Sequence, residues 1–234
     1  MSGVRAVLFD VFGTLVDWRG SLIAALAAFG ETSGRSADWA GLADAWRGAY
    51  QPSMQRVRSG ALAWTGLDAL HRESLDDLLP RFGLAALGDA ERDWMVALWH
   101  RLRPWPDTVA GLARLRERAI IGTLSNGPVA LLVDLAKTGG MTFDVIFGAD
   151  IFRHYKPDPE TYLGACALLA LPPGAVMLAA AHNSDLAAAR DCGLQTGFIP
   201  RPDEYGPSQK RDLRAEADWE VIADSVGALA DKIG

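Results

Sequence analysis

The chain has 234 residues, half of them hydrophobic, with a net charge of -6 and an isoelectric point near 5.2. That is enough apolar material for a sizeable interior, and an acidic balance without any basic run excludes the electrostatic footprint of a protein that binds nucleic acid or an anionic membrane. The expected partner is a small molecule, with no nucleic acid and no membrane. No apolar run approaches bilayer-spanning length and no charged segment leads into an apolar leader, so the expected location is cytoplasmic.

Taken in chain order, "RAVLFD" reads as a buried strand ending on Asp10, followed at once by Gly13 and Thr14. No comparable strand recurs until "AIIGTLSN" near residue 120. From about Leu22 to Leu102 the apolar residues fall at three- and four-residue spacing, in "SLIAALAAFG", "ADWAGLADAWRGAYQPSMQRV", "ALAWTGLDALHRESLDDLL" and "DAERDWMVALWHRL". This pattern predicts a helical insertion. The two prolines of "RPWPD" mark its end, which places residues 1–16 and 103–234 in an α/β core domain and residues 17–102 in a helical cap domain.

Beyond that boundary, helix and strand alternate: a helix from about Asp107 to Arg118, the strand "AIIGTL", a helix at "VALLVDLAKTG", the strand "DVIFG", a helix at "PETYLGACALLA", the strand "AVMLAAA", a helix at "DLAAARDCG" and the strand "QTGFIP". Such alternation requires right-handed crossovers and predicts a doubly wound, mostly parallel sheet covered on both faces. Cys166 and Cys192 sit in alanine-rich helical segments without metal-like spacing and read as buried thiols. The turn-rich loop "RPDEYGPSQKRD" can fold over the site, but no mechanism requires it.

Ligands of open parallel sheets bind at the carboxyl ends of the strands. Here those ends carry Asp10 to Thr14, then Ser125 and Asn126, then Lys156, then His182 and Asp185. A carboxylate beside a glycine that permits close approach can serve as a nucleophile. A lysine at the same edge keeps it ionised, Ser125 and Asn126 can bind an anionic part of a substrate, and Asp185 can orient or deprotonate water. Plainer readings stand beside these: Ser125, Asn126 and Asp185 suit helix N-caps, and Arg47 on the insertion suits a snorkelling surface residue.

"DVFGTL", "LSNG", "YKPDPETY" and "AAHNSD" resemble, in order and spacing, the four motifs of the haloacid dehalogenase superfamily over essentially the whole chain. Within it, "FDVFGTLVDWR" with "YKPDPETY" is similar to the type II (S)-2-haloacid dehalogenases. Phosphatases of the superfamily carry a second aspartate two residues after the nucleophile and an acidic metal ligand four residues before the last aspartate. Phe12 and Ala181 stand at those positions, leaving too few hard oxygen ligands for magnesium, so no metal or cofactor is expected.

The resemblance implies attack by Asp10 on the halogen-bearing carbon of a short 2-haloacid, expulsion of halide and hydrolysis of the aspartyl ester. Lys156 would pair with Asp10, Thr14 would brace it, and Phe12, Ser125, Asn126 and Tyr162 would contact substrate. Arg47 and Asn126 would receive the halide, and Asp185 would help activate water. Many type II enzymes have Ser-Ser-Asn where this chain has Ala180, Ala181 and His182, which puts His182 in the place of a water-positioning asparagine. A homodimer is the family expectation. The competing expectations are a phosphatase with an atypical metal site and a non-catalytic binding protein.

Overall fold

The computed structural model of the chain describes residues 3–233. The first strand, β1 (Ala6–Phe9), is completely buried, and its side chains alternate between two apolar cores, Val7 and Phe9 into one and Ala6 and Leu8 into the other. A strand that feeds both faces must lie inside a sheet covered on both sides.

After β1 the chain makes a two-residue strand, β2 (Val16–Asp17), and leaves the sheet for four helices: α1 (Trp18–Ser33), α2 (Trp39–Arg58), α3 (Leu67–Leu78) and α4 (Asp89–Val96). Asp17 and Asp38 cap the first two, accepting the backbone N–H of Gly20 and Gly41 at 2.8 Å each. On α2 the buried residues Leu42, Trp46, Tyr50 and Met54 fall one turn apart, giving the helix its inward stripe. The chain returns through β3 (Arg103–Pro104), antiparallel to β2, so this short ribbon is the neck of the inserted helical cap. Trp18, Trp46 and Trp99 of the cap share one continuous core with Phe9 and Val7 of the sheet.

The remainder alternates α5 (Thr108–Arg116), β4 (Ile120–Ser125), α6 (Val129–Gly139), β5 (Val145–Gly148), α7 (Ala149–Phe152), α8 (Pro159–Leu168), β6 (Val176–Ala180), α9 (Asn183–Asp191) and β7 (Gln195–Phe198). After the turn-rich loop come β8 (Val221–Ile222) and α10 (Val226–Lys232), two elements the sequence pattern does not announce. The six long-range strands form one parallel sheet in the order β5-β4-β1-β6-β7-β8. The chain therefore winds outward from β1 in both directions. The carboxyl ends of β1, β4 and β6 meet at this switch point, where a doubly wound sheet opens a crevice.

Candidate active site

Asp10 is the first residue past β1, and its N–H bonds the Ala179 carbonyl of β6 at 3.1 Å, so the sheet itself fixes its backbone. Its carboxylate is buried and fully engaged. Lys156 Nζ donates to Oδ1 at 2.9 Å, Thr14 Oγ1 donates to Oδ2 at 2.8 Å, and His182 Nδ1 lies 3.1 Å from Oδ2. Thr14 is held in turn by the N–H of Ala181 at 2.9 Å. Lys156 also donates to Asp185 Oδ2, and Tyr162 donates its hydroxyl to Asp185 Oδ1 at 2.6 Å. An ammonium thus sits between the two carboxylates, with the tyrosine locking the second.

Asn126 clamps the lysine loop from below, accepting the Lys156 N–H at 2.7 Å and donating to its carbonyl at 3.4 Å. That spends much of the amide expected to contact substrate or halide. Ser125 is buried, accepts the N–H of Gly127 at 3.2 Å, and is not among the residues lining the cleft. Asp10, Phe12, Arg47, Asn126, Lys156, Tyr162, His182 and Asp185 do line one cleft of about 370 Å³. Phe12 presents an apolar wall there, packed edge-on against Tyr50 and Trp99.

Arg47 reaches the cleft from α2 and is almost wholly buried. Its guanidinium lies 4.3 Å from the Tyr50 ring and 5.4 Å from that of Trp18, and its Nη1 has no hydrogen-bond partner. Burial opposes its charge, but Tyr205, Tyr50, Glu204 and Asp10 hold it above the ordinary arginine value. A buried cation with a spare donor between aromatic faces has the chemistry to accept an anion.

The residue sequence reasoning missed is Glu204. It lies in the loop "RPDEYGP" but is buried, its Oε2 2.9 Å from His182 Nε2 and its Oε1 accepting Trp18 Nε1 at 3.0 Å and lying 3.9 Å from Arg47. Gly13 makes this possible: its φ is +85° and a Cβ there would fall 2.2 Å from Glu204 Oε1. The sequence signals were a carboxylate in a loop able to fold over the site and the unusual His182.

The charges set one another. Burial alone would push the Asp10 carboxyl up, but Lys156 and His182 outweigh it and hold the group far below the usual carboxylate range. Burial lowers Lys156, but Asp10 and Asp185 raise it above an ordinary lysine. Burial likewise lowers His182, while Glu204 and Asp10 raise it well above an ordinary histidine, which favours the protonated ring. Glu204 is raised by burial but brought below its ordinary value by His182, Arg47 and Trp18.

Magnesium, which phosphatases of this fold require, does not fit the residues here. Lys156 Nζ already bridges the two carboxylates a cation would need, and Phe12 and Ala181 offer no side-chain oxygen.

A family model for haloacid dehalogenase-like hydrolases matches residues 4–193. The chain belongs to that family. It is similar to (S)-2-haloacid dehalogenase 1 of Pseudomonas sp. (strain CBS-3), 30% identical over 90% of this chain and 92% of that protein. Among solved structures it is similar to the L-2-haloacid dehalogenase PA0810, at 53% identity and a TM-score of 0.96 over 98% of both chains. It also resembles the defluorinating L-2-haloacid dehalogenase Rha0230, at 48% identity and a TM-score of 0.96 over 98% of this chain and 95% of that one. Within this family of hydrolases the site departs from phosphatase chemistry at the positions just described.

Proposed function

We propose that this protein is a hydrolytic 2-haloacid dehalogenase that converts short 2-haloalkanoic acids to 2-hydroxy acids through an ester on Asp10. The observation that carries the reading is the coordination of Asp10: it is ionised and desolvated, held by an ammonium, a hydroxyl and an imidazolium, and faces Phe12 where a phosphatase needs an acid. Halide leaves as a stable anion and needs no acid. The names of the similar proteins support the same substrate class.

In the first step an Asp10 oxygen attacks the halogen-bearing carbon, the new C–O bond forms as the C–X bond breaks, and the bonding pair leaves with the halide. Arg47, with its free Nη1, receives the halide. The ester that results has lost one of the two negative charges that keep His182 protonated, so the imidazole becomes a better base once the ester is in place. With the ring in its neutral form, water attacks the acyl carbon as His182, oriented by Glu204, takes a proton from it. The bond between the acyl carbon and the ester oxygen then breaks, that oxygen takes the proton back from His182 as the 2-hydroxy acid departs, and Asp10 is regenerated as a carboxylate. Asp185, tied to Lys156 and Tyr162, positions the lysine rather than the water.

We take residues 17–102 as the cap over a core of residues 1–16 and 103–234, meeting at the β2–β3 neck. A cytoplasmic homodimer completes the reading. Exposed Ile151, Leu163 and Leu168 on α7 and α8 are apolar surface available to a second copy, and light scattering tests the assembly. The activity itself is tested by halide release from (S)-2-chloropropionate in the presence of EDTA. Release that survives chelation and vanishes in Asp10→Asn supports it; phosphate-ester hydrolysis abolished by EDTA would overturn it.

A further inference from the structure

The inner cleft is occupied by the groups of the proposed reaction, but its outer part is lined by hydrogen-bond donors that the reaction does not use. Exposed Gln51 and half-buried Arg58 reach it from α2, exposed Ser184 from the first turn of α9, and exposed Arg211 from the loop after β7. Asp212 is the carboxylate among them, and its Oδ1 already accepts both the backbone N–H and the side-chain amide of Asn183, at 2.8 and 2.9 Å.

Arg211 is held in place rather than trailing in solvent. Its guanidinium stacks 4.1 Å from the Tyr205 ring, which packs edge-on against Trp18 at 5.6 Å. The Gln209 side chain gathers the loop behind it, accepting the N–H of Tyr205 at 2.9 Å and donating to the carbonyls of Arg201 and Arg211 at 3.0 and 2.9 Å. Among the described residues no carboxylate pairs with the Arg211 guanidinium, whereas Arg47, Arg58, Lys156 and His182 of the same cleft each have an acidic partner. Arg58 spends Nε on Asp158 at 2.7 Å and Nη1 on Gln55 at 2.9 Å, leaving Nη2 with no hydrogen bond among the described residues. A planar fork stacked on an aromatic and lacking a carboxylate matches a carboxylate ligand in shape and charge.

We propose that Arg211, with Arg58 on the cap side of the same cleft, binds a second carboxylate carried by the substrate, so that the site takes 2-halodicarboxylates. The inference rests on the dehalogenase reading for the reaction it serves, not for the binding. The chemistry is unchanged: Asp10 displaces halide from the carbon next to the first carboxylate, and water releases a 2-hydroxydicarboxylate.

The test has two arms. In the first, kcat/KM is measured for (S)-2-chlorosuccinate and (S)-2-chloropropionate. The wild type should favour chlorosuccinate by tenfold or more and Arg211→Gln should lower that ratio at least tenfold; a ratio near one, or one that Arg211→Gln leaves unmoved, overturns the proposal. In the second, thermal shifts with succinate and propionate as halogen-free probes should show greater stabilisation by succinate, erased in Arg211→Gln; equal shifts overturn it. If succinate is distinguished but no haloacid is turned over, the binding site stands and the dehalogenase reading falls. If chloropropionate is turned over without any discrimination, only the second-carboxylate site falls.

Discussion

Glu204 and His182 form a buried acid–imidazole pair, Oε2 lying 2.9 Å from Nε2, with the other ring nitrogen of His182 3.1 Å from the Asp10 carboxylate. In the proposed mechanism this pair acts on the second half of the reaction, when Asp10 carries an ester. His182→Asn should therefore slow ester hydrolysis by about a hundredfold, the ordinary size of a general-base contribution. Intact-mass measurement after mixing with substrate should show the alkylated enzyme accumulating; a kcat within twofold of wild type with no adduct would remove His182 from the chemistry.

The same pair fixes a pH dependence. His182 must be neutral to accept a proton, so kcat should rise with pH as the ring deprotonates in the ester form. Glu204 raises the affinity of His182 for its proton. Glu204→Gln should consequently move this limb to lower pH, and a limb that stays put or moves to higher pH would contradict the assignment.

In the proposed mechanism Tyr162 and Asp185 act through Lys156. Tyr162→Phe removes a donor from a buried carboxylate, a bond worth about 1.5–3 kcal/mol, or roughly tenfold or more if all of it is felt in the rate. The loss should appear in the burst of halide release, with KM little changed. Asp185→Asn should slow the same burst further, since the lysine then has Asp10 as its one anionic partner. Equal slowing of ester hydrolysis instead would return Asp185 to the water.

Gly13→Ala should destabilise the fold by about 1–3 kcal/mol from the left-handed backbone alone, and by more because the new methyl meets Glu204. Combining it with Glu204→Ala removes the clash. Denaturant unfolding of the double variant should show less loss than the sum of the two singles; simple additivity would mean that Gly13 does not make room for Glu204.

His71 provides a stability test away from the chemistry. It is buried on α3, stacked on Trp99 at 4.2 Å with neither ring nitrogen bonded, and burial together with Arg47 and His100 lowers its pKa to about 3. The folded state keeps the ring neutral while the unfolded chain binds a proton below its ordinary value near 6.5. Stability from this group is complete above that pH and falls by up to about 1.4 kcal/mol per unit between 6.5 and 3. In His71→Phe, which keeps the stacking, the difference in Tm between pH 7 and pH 5 should shrink; an unchanged difference would place the acid sensitivity elsewhere.

Much of this was legible because the motif residues lie at strand ends, where chain order and periodicity determine position. Asp10, His182 and Asp185 converge because β1 and β6 are neighbours in a doubly wound parallel sheet, the class that strand and helix alternation implied without its strand order. Lys156 is brought to them by a loop held on Asn126 at the end of β4. Residues whose role depends on how a loop folds back were not legible. Glu204 sits in a turn-rich, charged segment whose ordinary reading is a solvated loop, and only the three-dimensional return of that loop onto Gly13 and Trp18 buries it. Arg211 became a cleft residue for the same reason, whereas Tyr50 reaches the cleft from the inward face of α2. Ser125 illustrates the reverse, since a residue at the right strand end can still turn its hydroxyl to the adjacent backbone. The ribbon of β2 and β3 and the late strand β8, at two residues each, are too short to leave a periodic trace.

Attack by Asp10 on carbon is tested most directly by a single turnover in ¹⁸O-water with enzyme in excess over (S)-2-chloropropionate. Aspartyl catalysis transfers an oxygen of Asp10 to the product, so the lactate should be unlabelled while the peptide bearing Asp10 gains ¹⁸O. Labelled lactate with an unlabelled Asp10 peptide would show that water attacks the substrate directly.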